Sequence, residues 1–131
     1  MYSIITGCTY KPNKLFTNNC DYIYNKEMNK NVYTKVDSLP KFPSGDSGFI
    51  KFFLTNFNKP NQETIQGRIV LELIIDEKGN IIQSKIRDKN ESEYTLLEKE
   101  ALRVLIFSPL WIPAKCHNKN VIARTYRPLI F

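Results

Sequence analysis

Arg68-Ile69-Val70-Leu71-Glu72-Leu73-Ile74-Ile75-Asp76, then Glu77-Lys78-Gly79-Asn80, then Ile81-Ile82-Gln83-Ser84-Lys85-Ile86-Arg87, is the stretch that decides the fold. Within residues 65–76, Ile69, Leu71, Leu73 and Ile75 fall on one side of an extended chain. Arg68, Val70, Glu72, Ile74 and Asp76 fall on the other, which is the period-two signature of a strand. Glu77-Lys78-Gly79-Asn80 reads as a tight turn, with glycine where a positive φ is tolerated. Ile81 to Arg87 returns as the antiparallel partner, and Asp88-Lys89-Asn90-Glu91-Ser92 ends the hairpin.

Downstream, the spacing predicts a helix from about Glu93 to Phe107. Leu97, Ala101, Val104 and Leu105 form its buried face, and Glu98, Lys99, Glu100 and Arg103 its wet one. Ser108-Pro109 stops it. Pro109-Leu110-Trp111-Ile112-Pro113 is an aromatic turn in which Trp111 reads as a core plug, and Lys115 to Asn120 is a polar loop. Val121 to Phe131 is the last strand. Pro128 cannot donate to a ladder, so that strand is expected at a sheet edge or unpaired near its end.

Upstream, Phe49, Phe52, Phe53 and Phe57 recur at i, i+3, i+4 and i+8, one apolar stripe of a helix that ends before Pro60. Ser44 or Asp46 is placed to cap it. Leu39-Pro40-Lys41-Phe42-Pro43-Ser44-Gly45 is a stiff turn before it, and Val32-Tyr33-Thr34-Lys35-Val36 alternates as a strand. Residues 1–31, rich in Asn and Lys, hold neither period for long and read as a flexible lead, with Tyr22-Ile23-Tyr24 able to add a short strand. The expected fold is α+β: a two-layer sandwich in residues 32–131, with an antiparallel sheet of about three strands and two helices on one face.

The composition excludes several classes. A chain of 131 residues is one domain's worth, large enough to bury a core without a metal or a disulfide. With 42% apolar and 24% charged residues it is neither collagen, coiled coil nor wholly disordered. Five glycines disfavour dinucleotide and P-loop folds. The net charge of +6 comes from basic residues spread along the chain, with no dense cluster and no interleaving with aromatics, which argues against a nucleic-acid partner. Catalysis is not indicated. The single histidine, His117, lies in a polar loop without a nucleophile, and Asp76 and Glu77 are adjacent and point to different sides of a turn. No zinc or thioredoxin spacing joins Cys8, Cys20 and Cys116, and neither a metal nor a cofactor is expected.

Taken together, the landmarks of residues 32–131 resemble the TonB C-terminal domain family in its Bacteroidetes form. Val32 to Gly45 is similar to the lead into that family's first helix. Gln66-Gly67-Arg68-Ile69-Val70 with Ile75-Asp76-Glu77-Lys78-Gly79-Asn80-Ile81 resembles its hairpin, and Leu97 to Val104 its second helix. Pro109-Leu110-Trp111-Ile112-Pro113-Ala114, Asn118-Lys119-Asn120-Val121 and Arg127-Pro128-Leu129-Ile130-Phe131 resemble its closing turn and strand. Ser44 and Ala114 stand where the family commonly has glycine, which is tolerable if φ is negative at both. The resemblance implies a periplasmic protein-binding module that pairs an edge strand with the TonB box of outer-membrane transporters, supporting energy-coupled uptake. The implied binding residues are Val121, Ile122, Ala123, Arg124, Thr125, Tyr126 and Arg127, with Arg124 and Arg127 steering an acidic segment. Coupling to the inner-membrane proton-motive complex would need an N-terminal region that residues 32–131 do not supply.

Ile5-Thr6-Gly7-Cys8 resembles the lipobox of bacterial lipoproteins, which makes Cys8 the candidate lipidation site. Its signal would lie upstream of Met1 in a longer reading frame. A chain lipidated there sits in the cell envelope, tethered by an acyl anchor. The alternative function is then a lipid-anchored envelope scaffold that reuses the fold to bind another envelope protein or peptidoglycan, without energy transduction.

Overall fold

The computed structural model describes residues 20–60 and 67–131; Cys8 and the first two residues of the strand expected from 65 lie outside them. In chain order the elements are β1 (Asp21–Asn25), β2 (Lys30–Lys35), α1 (Gly45–Asn56), β3 (Arg68–Ile75), β4 (Ile81–Ile86), α2 (Leu96–Val104), β5 (Ala114–Cys116), β6 (Lys119–Val121) and β7 (Ala123–Ile130). Single 3-10 turns flank α2 at Glu91–Glu93 and Leu105–Phe107.

The class is α+β, but the sheet is not three antiparallel strands. It has five, in the order β1-β2-β7-β3-β4, and β5 and β6 form a separate two-stranded ribbon. Two misreadings account for the difference. The short strand that Tyr22-Ile23-Tyr24 is able to add is present but stands outside the count of three: it is β1, which pairs antiparallel with β2 from Asp21–Lys35 to Asn25–Lys30. The strand at Val32 lies parallel to β7, so the sheet is mixed.

The β3–β4 hairpin stands as its alternation requires. Ile69, Leu71, Leu73 and Ile75 are all buried, and Ile86 joins them. Phe49 and Phe53 of α1 and Leu97, Ala101 and Val104 of α2 pack into the same core with Phe42 and Trp111, so both helices cover one face. Phe52 and Phe57 pack half-buried at its margin. The opposite face carries only a small apolar group, Val32, Ile74 and Ile122, with Met28 against it.

The turn glycine is fixed twice over. Gly79 has φ +94, and a side chain there would run into the Trp111 backbone, whose N–H donates to the Gly79 carbonyl at 2.9 Å. The hairpin tip is thereby docked against the closing aromatic turn, where the Trp111 indole N–H donates to the Ser108 hydroxyl at 2.8 Å. Ser44 has φ −104 and Ala114 is not among the positive-φ residues, so both departures from glycine are absorbed. Ser44 makes no capping hydrogen bond, however, and Asp46 turns to Arg127 instead.

The second helix starts later than Glu93. Thr95-Leu96-Leu97-Glu98 is a capping box: Thr95 Oγ1 accepts from the Glu98 N–H at 3.1 Å, and Glu98 Oε1 accepts from the Thr95 N–H at 2.8 Å. Glu98, expected on the wet face, is buried for that reason, with the Lys89 ammonium 2.9 Å from its carboxylate. Of that face only Lys99 is exposed; Glu100 and Arg103 are half-buried, and both grip the end of α1. Glu100 accepts the Asn58 N–H at 2.6 Å, and Arg103 donates to the Asn56 carbonyl at 2.8 Å.

Candidate functional site: the two sides of the last strand

The last strand is interior in the order of the sheet, but its two sides are unequally used. Along one side β7 pairs with β3 at every position from Ala123–Ile75 to Ile130–Arg68. On the other side β2 meets it at a single pair, Tyr33–Ala123. The alternation of a strand then fixes which groups are open. The Ile122 carbonyl accepts from the Tyr33 N–H at 2.8 Å, so the backbone at 122 faces β2. The Phe131 N–H donates to the Gly67 carbonyl at 2.9 Å, so odd positions face β3. Arg124, Tyr126, Pro128 and Ile130 share the parity of Ile122 and turn their backbone groups toward β2's side. Past the one β2 pair, no strand among the described residues pairs with that side, which offers the N–H and C=O of Tyr126 and Ile130 and the C=O of Pro128.

This resolves how a proline sits in a strand paired along its length. The ring removes a donor that would have pointed away from β3, so the β3 ladder loses nothing. It also leaves the open rim one donor short, a recognised way of blunting an exposed edge.

The seven residues singled out from the sequence do not act together. Val121 belongs to β6, paired with Ala114. Ile122 is buried in the small apolar group with its carbonyl taken, and Ala123 is the β2 contact. Thr125 and Arg127 turn their backbone to β3. Only Tyr126 and, next to β2, Arg124 face the rim. Its far half is Pro128, where the edge read from the sequence ends, and Ile130, which lies beyond it; the signal was the parity of Pro128 itself.

Arg124 and Arg127 lie on opposite faces of the sheet, because their positions differ by an odd number. Arg124 points to the face without helices, 3.4 Å from Glu72, which Lys85 approaches from the other side at 3.6 Å. Arg127 points to the helical face. Its guanidinium lies 5.2 Å from the Phe49 ring and 5.8 Å from the Trp111 ring and pairs with Asp46. That hydrogen bond and charge hold the Asp46 carboxyl below its ordinary value. Both arginines are therefore engaged within the domain, and they do not form one acidic-segment receptor. Arg87, just past the end of β4, lies over the Tyr126 ring at 4.6 Å and so sets a cation on a rim side chain.

Cys20 and Cys116 form a disulfide that ties the start of β1 to the end of β5. Their sulfurs and one His117 ring nitrogen lie within 4.8 Å of one another, but the disulfide takes both thiols. The His117 backbone N–H donates to Asp37 at 2.9 Å. Asp76 is a turn-former, its carboxylate accepting the N–H groups of Lys78 and Asn80, both at 2.9 Å. Among the described residues no helix is long and apolar enough to cross a membrane. No protein-family model, no curated protein and no solved structure matches the chain.

Proposed function

We propose that this chain is a TonB-like protein-binding module of the periplasm, which takes an extended segment, such as the TonB box of an outer-membrane transporter, onto the open half of β7. The observation that carries this reading is the inequality of β7's sides: a full ladder to β3, and a single pair to β2 at Ala123. A strand held rigidly from one side and open on the other is a template for strand addition. Main-chain bonds give affinity there and alternate side chains give selectivity. The Cys20–Cys116 disulfide supports an oxidising compartment, where such bonds persist.

The guest lies beside Tyr126, Pro128 and Ile130, with Arg87 the cation within reach of an acidic side chain. Titrating the 15N-labelled protein with an acidic TonB-box peptide tests this. The amides of Tyr126 and Ile130 are expected to shift, and those of Arg127 and Leu129, bonded to β3, to move far less. Saturable binding that leaves Tyr126 and Ile130 unmoved overturns the reading.

A second reading is favoured by the cysteine pairing. Cys20 and Cys116 take each other, which leaves Cys8 as the third, the residue the lipobox resemblance selects. In that reading the same rim serves a lipid-anchored scaffold, and membrane extraction of the cellular protein followed by mass analysis of its N-terminal peptide decides it. An acylated Cys8 favours the scaffold, and an unmodified one leaves the transport module.

A further inference from the structure

The rim of β7 is not an outer edge of the sheet. The outer strands are β1 and β4, and β4 carries Lys85, whereas among the described residues nothing pairs with the outer side of β1. Edge strands are normally protected by proline, by lysine or by an inward charge. β1 reads Asp21-Tyr22-Ile23-Tyr24-Asn25 and carries none of these. Its three central side chains are 56%, 59% and 53% exposed, an unusual amount of bare aromatic and aliphatic surface for one short strand.

The strand is also held as a rigid template at both ends. The disulfide at Cys20 fixes its start. At the other end the Met28 N–H donates to the Asn25 side chain at 3.0 Å, Asn29 takes a left-handed φ of 56, and the Tyr24 hydroxyl donates to Asn29.

We infer that β1 is a self-association edge whose partner is a second copy of this chain, joined antiparallel about a two-fold axis through Ile23. The sequence of the strand is close to a palindrome around that residue. In this register Ile23 meets Ile23 of the other copy, Tyr22 meets Tyr24 twice, and the one charge, Asp21, meets the neutral amide of Asn25. Each residue meets one of the same parity, so outward backbone donors and acceptors face each other along the whole strand. Shifting the axis to Tyr22 or Tyr24 pairs Ile23 with a polar residue and leaves one end unmatched.

The faces match as well. Ile23 pairs with Val32 and shares its face, so the Ile23 contact extends the apolar group of Val32, Ile74 and Ile122 across the axis. Tyr22 and Tyr24 lie on the opposite face, where Tyr22 already packs on Tyr33 with ring centroids 5.2 Å apart. Cross-strand aromatic pairs of this kind stabilise sheets. The product is an isologous dimer with one continuous sheet of two five-stranded halves. A five-residue edge buries far less than a standard interface, so the dimer is weak and concentration-dependent.

Sedimentation equilibrium of the full chain from about 10 μM to about 1 mM, the range over which such contacts dissociate, is expected to show a monomer–dimer equilibrium. Ile23→Lys sets like charges against each other at the axis and is expected to weaken it about tenfold or more. The side chain is exposed, so the circular dichroism of the variant should be unchanged. Mixing Ile23→Lys with Ile23→Glu is expected to restore association as a heterodimer. In the wild type, the amides of residues 22–24 should broaden with concentration while Tyr126 and Ile130 do not, which separates this edge from the β7 rim. A wild type that stays monomeric throughout, an Ile23→Lys variant that associates as the wild type does, or broadening away from β1 overturns the inference.

Discussion

Two residues carry more than their side chains suggest. Gly79 combines a left-handed φ with a backbone neighbour where a Cβ would stand, so Gly79→Ala meets both a conformational cost and an overlap with Trp111. The first costs about 1 kcal/mol, and the second forces the docked turn apart, so a loss of about 2–4 kcal/mol is expected from urea denaturation. Glu98 is the other. Burial pushes its carboxyl up, but the Thr95 N–H and the Lys89 ammonium outweigh that and hold it below its ordinary 4.5. Its folded-state value is thus depressed, so its contribution is fully present above the unfolded value and is lost as pH falls through the folded one. Stability measured from pH 7 to pH 3 is expected to be flat above about 5 and to fall below 4.5. In Glu98→Gln the neutral stability drops by about 1–2 kcal/mol and part of the acid slope disappears. An unchanged slope would place the titration elsewhere, on Asp46, Asp76 or Glu100, whose carboxyls are also held low.

At the scale of elements, the parity of β7 makes a sharp contrast between neighbouring positions. Proline is accommodated at 128 because its nitrogen faces the open rim. Pro128→Ala is expected to change stability by less than about 1 kcal/mol, since no β3 bond is gained. Leu129→Pro removes a donor from the β3 ladder and is expected to cost about 3 kcal/mol or more, with lost packing added because Leu129 is buried. Thermal unfolding of the two variants checks the assignment, and equal losses would refute it. The same parity explains what the sequence displays and what it conceals. The β3–β4 hairpin was legible because one face of β3 is buried along its whole length, and burial is what writes a period of two into a sequence. β1 showed only as the three residues Tyr22-Ile23-Tyr24, because four of its five residues are exposed and the fifth only half-buried, so nothing imposed alternation on it. β2 contributes one buried residue, Val32, which gave a strand but neither its parallel direction nor its partner. The capping box at Thr95 was legible in principle, since Thr and Glu stand three apart before an apolar run, whereas the pairing of Glu98 with Lys89 depends on a loop whose path no local pattern fixes. Of the rim, residues 124–127 fell within the stretch read as binding, but which of them face outward follows only from the register with β3.

At the scale of the molecule, the hairpin β1–β2 and the body formed by β3, β4, β7 and the helices are held together by unequal means. The body has eight β3–β7 pairs and the main core. The hairpin is attached by one strand pair, by the apolar group of Val32, Ile74 and Ile122, and by the Asp37 and Ser38 N–H groups on the Lys115 carbonyl at 3.0 and 3.2 Å. The disulfide closes a separation of 96 residues across these two parts. In the chain-entropy account a loop of that length stabilises by at most about 4–5 kcal/mol, so reduction should lower the urea midpoint clearly. The loss should not be uniform, because local opening follows local attachment. With the staple cut, the hairpin keeps only its one pair to β7, the small apolar group and the anchor at Asp37 and Ser38, so it can swing away without breaking the β3–β7 ladder. Hydrogen exchange of Cys20→Ser against the wild type is expected to show the Tyr33 amide, bonded to Ile122, losing more protection than the β3 amides of Leu71 and Leu73. Equal losses at the three amides would mean that hairpin and body open as one unit. In that case the β7 rim is permanently limited to its Tyr126–Ile130 half, whereas a selective loss at Tyr33 means that the redox state of Cys20 sets how much of β7 a guest strand can reach.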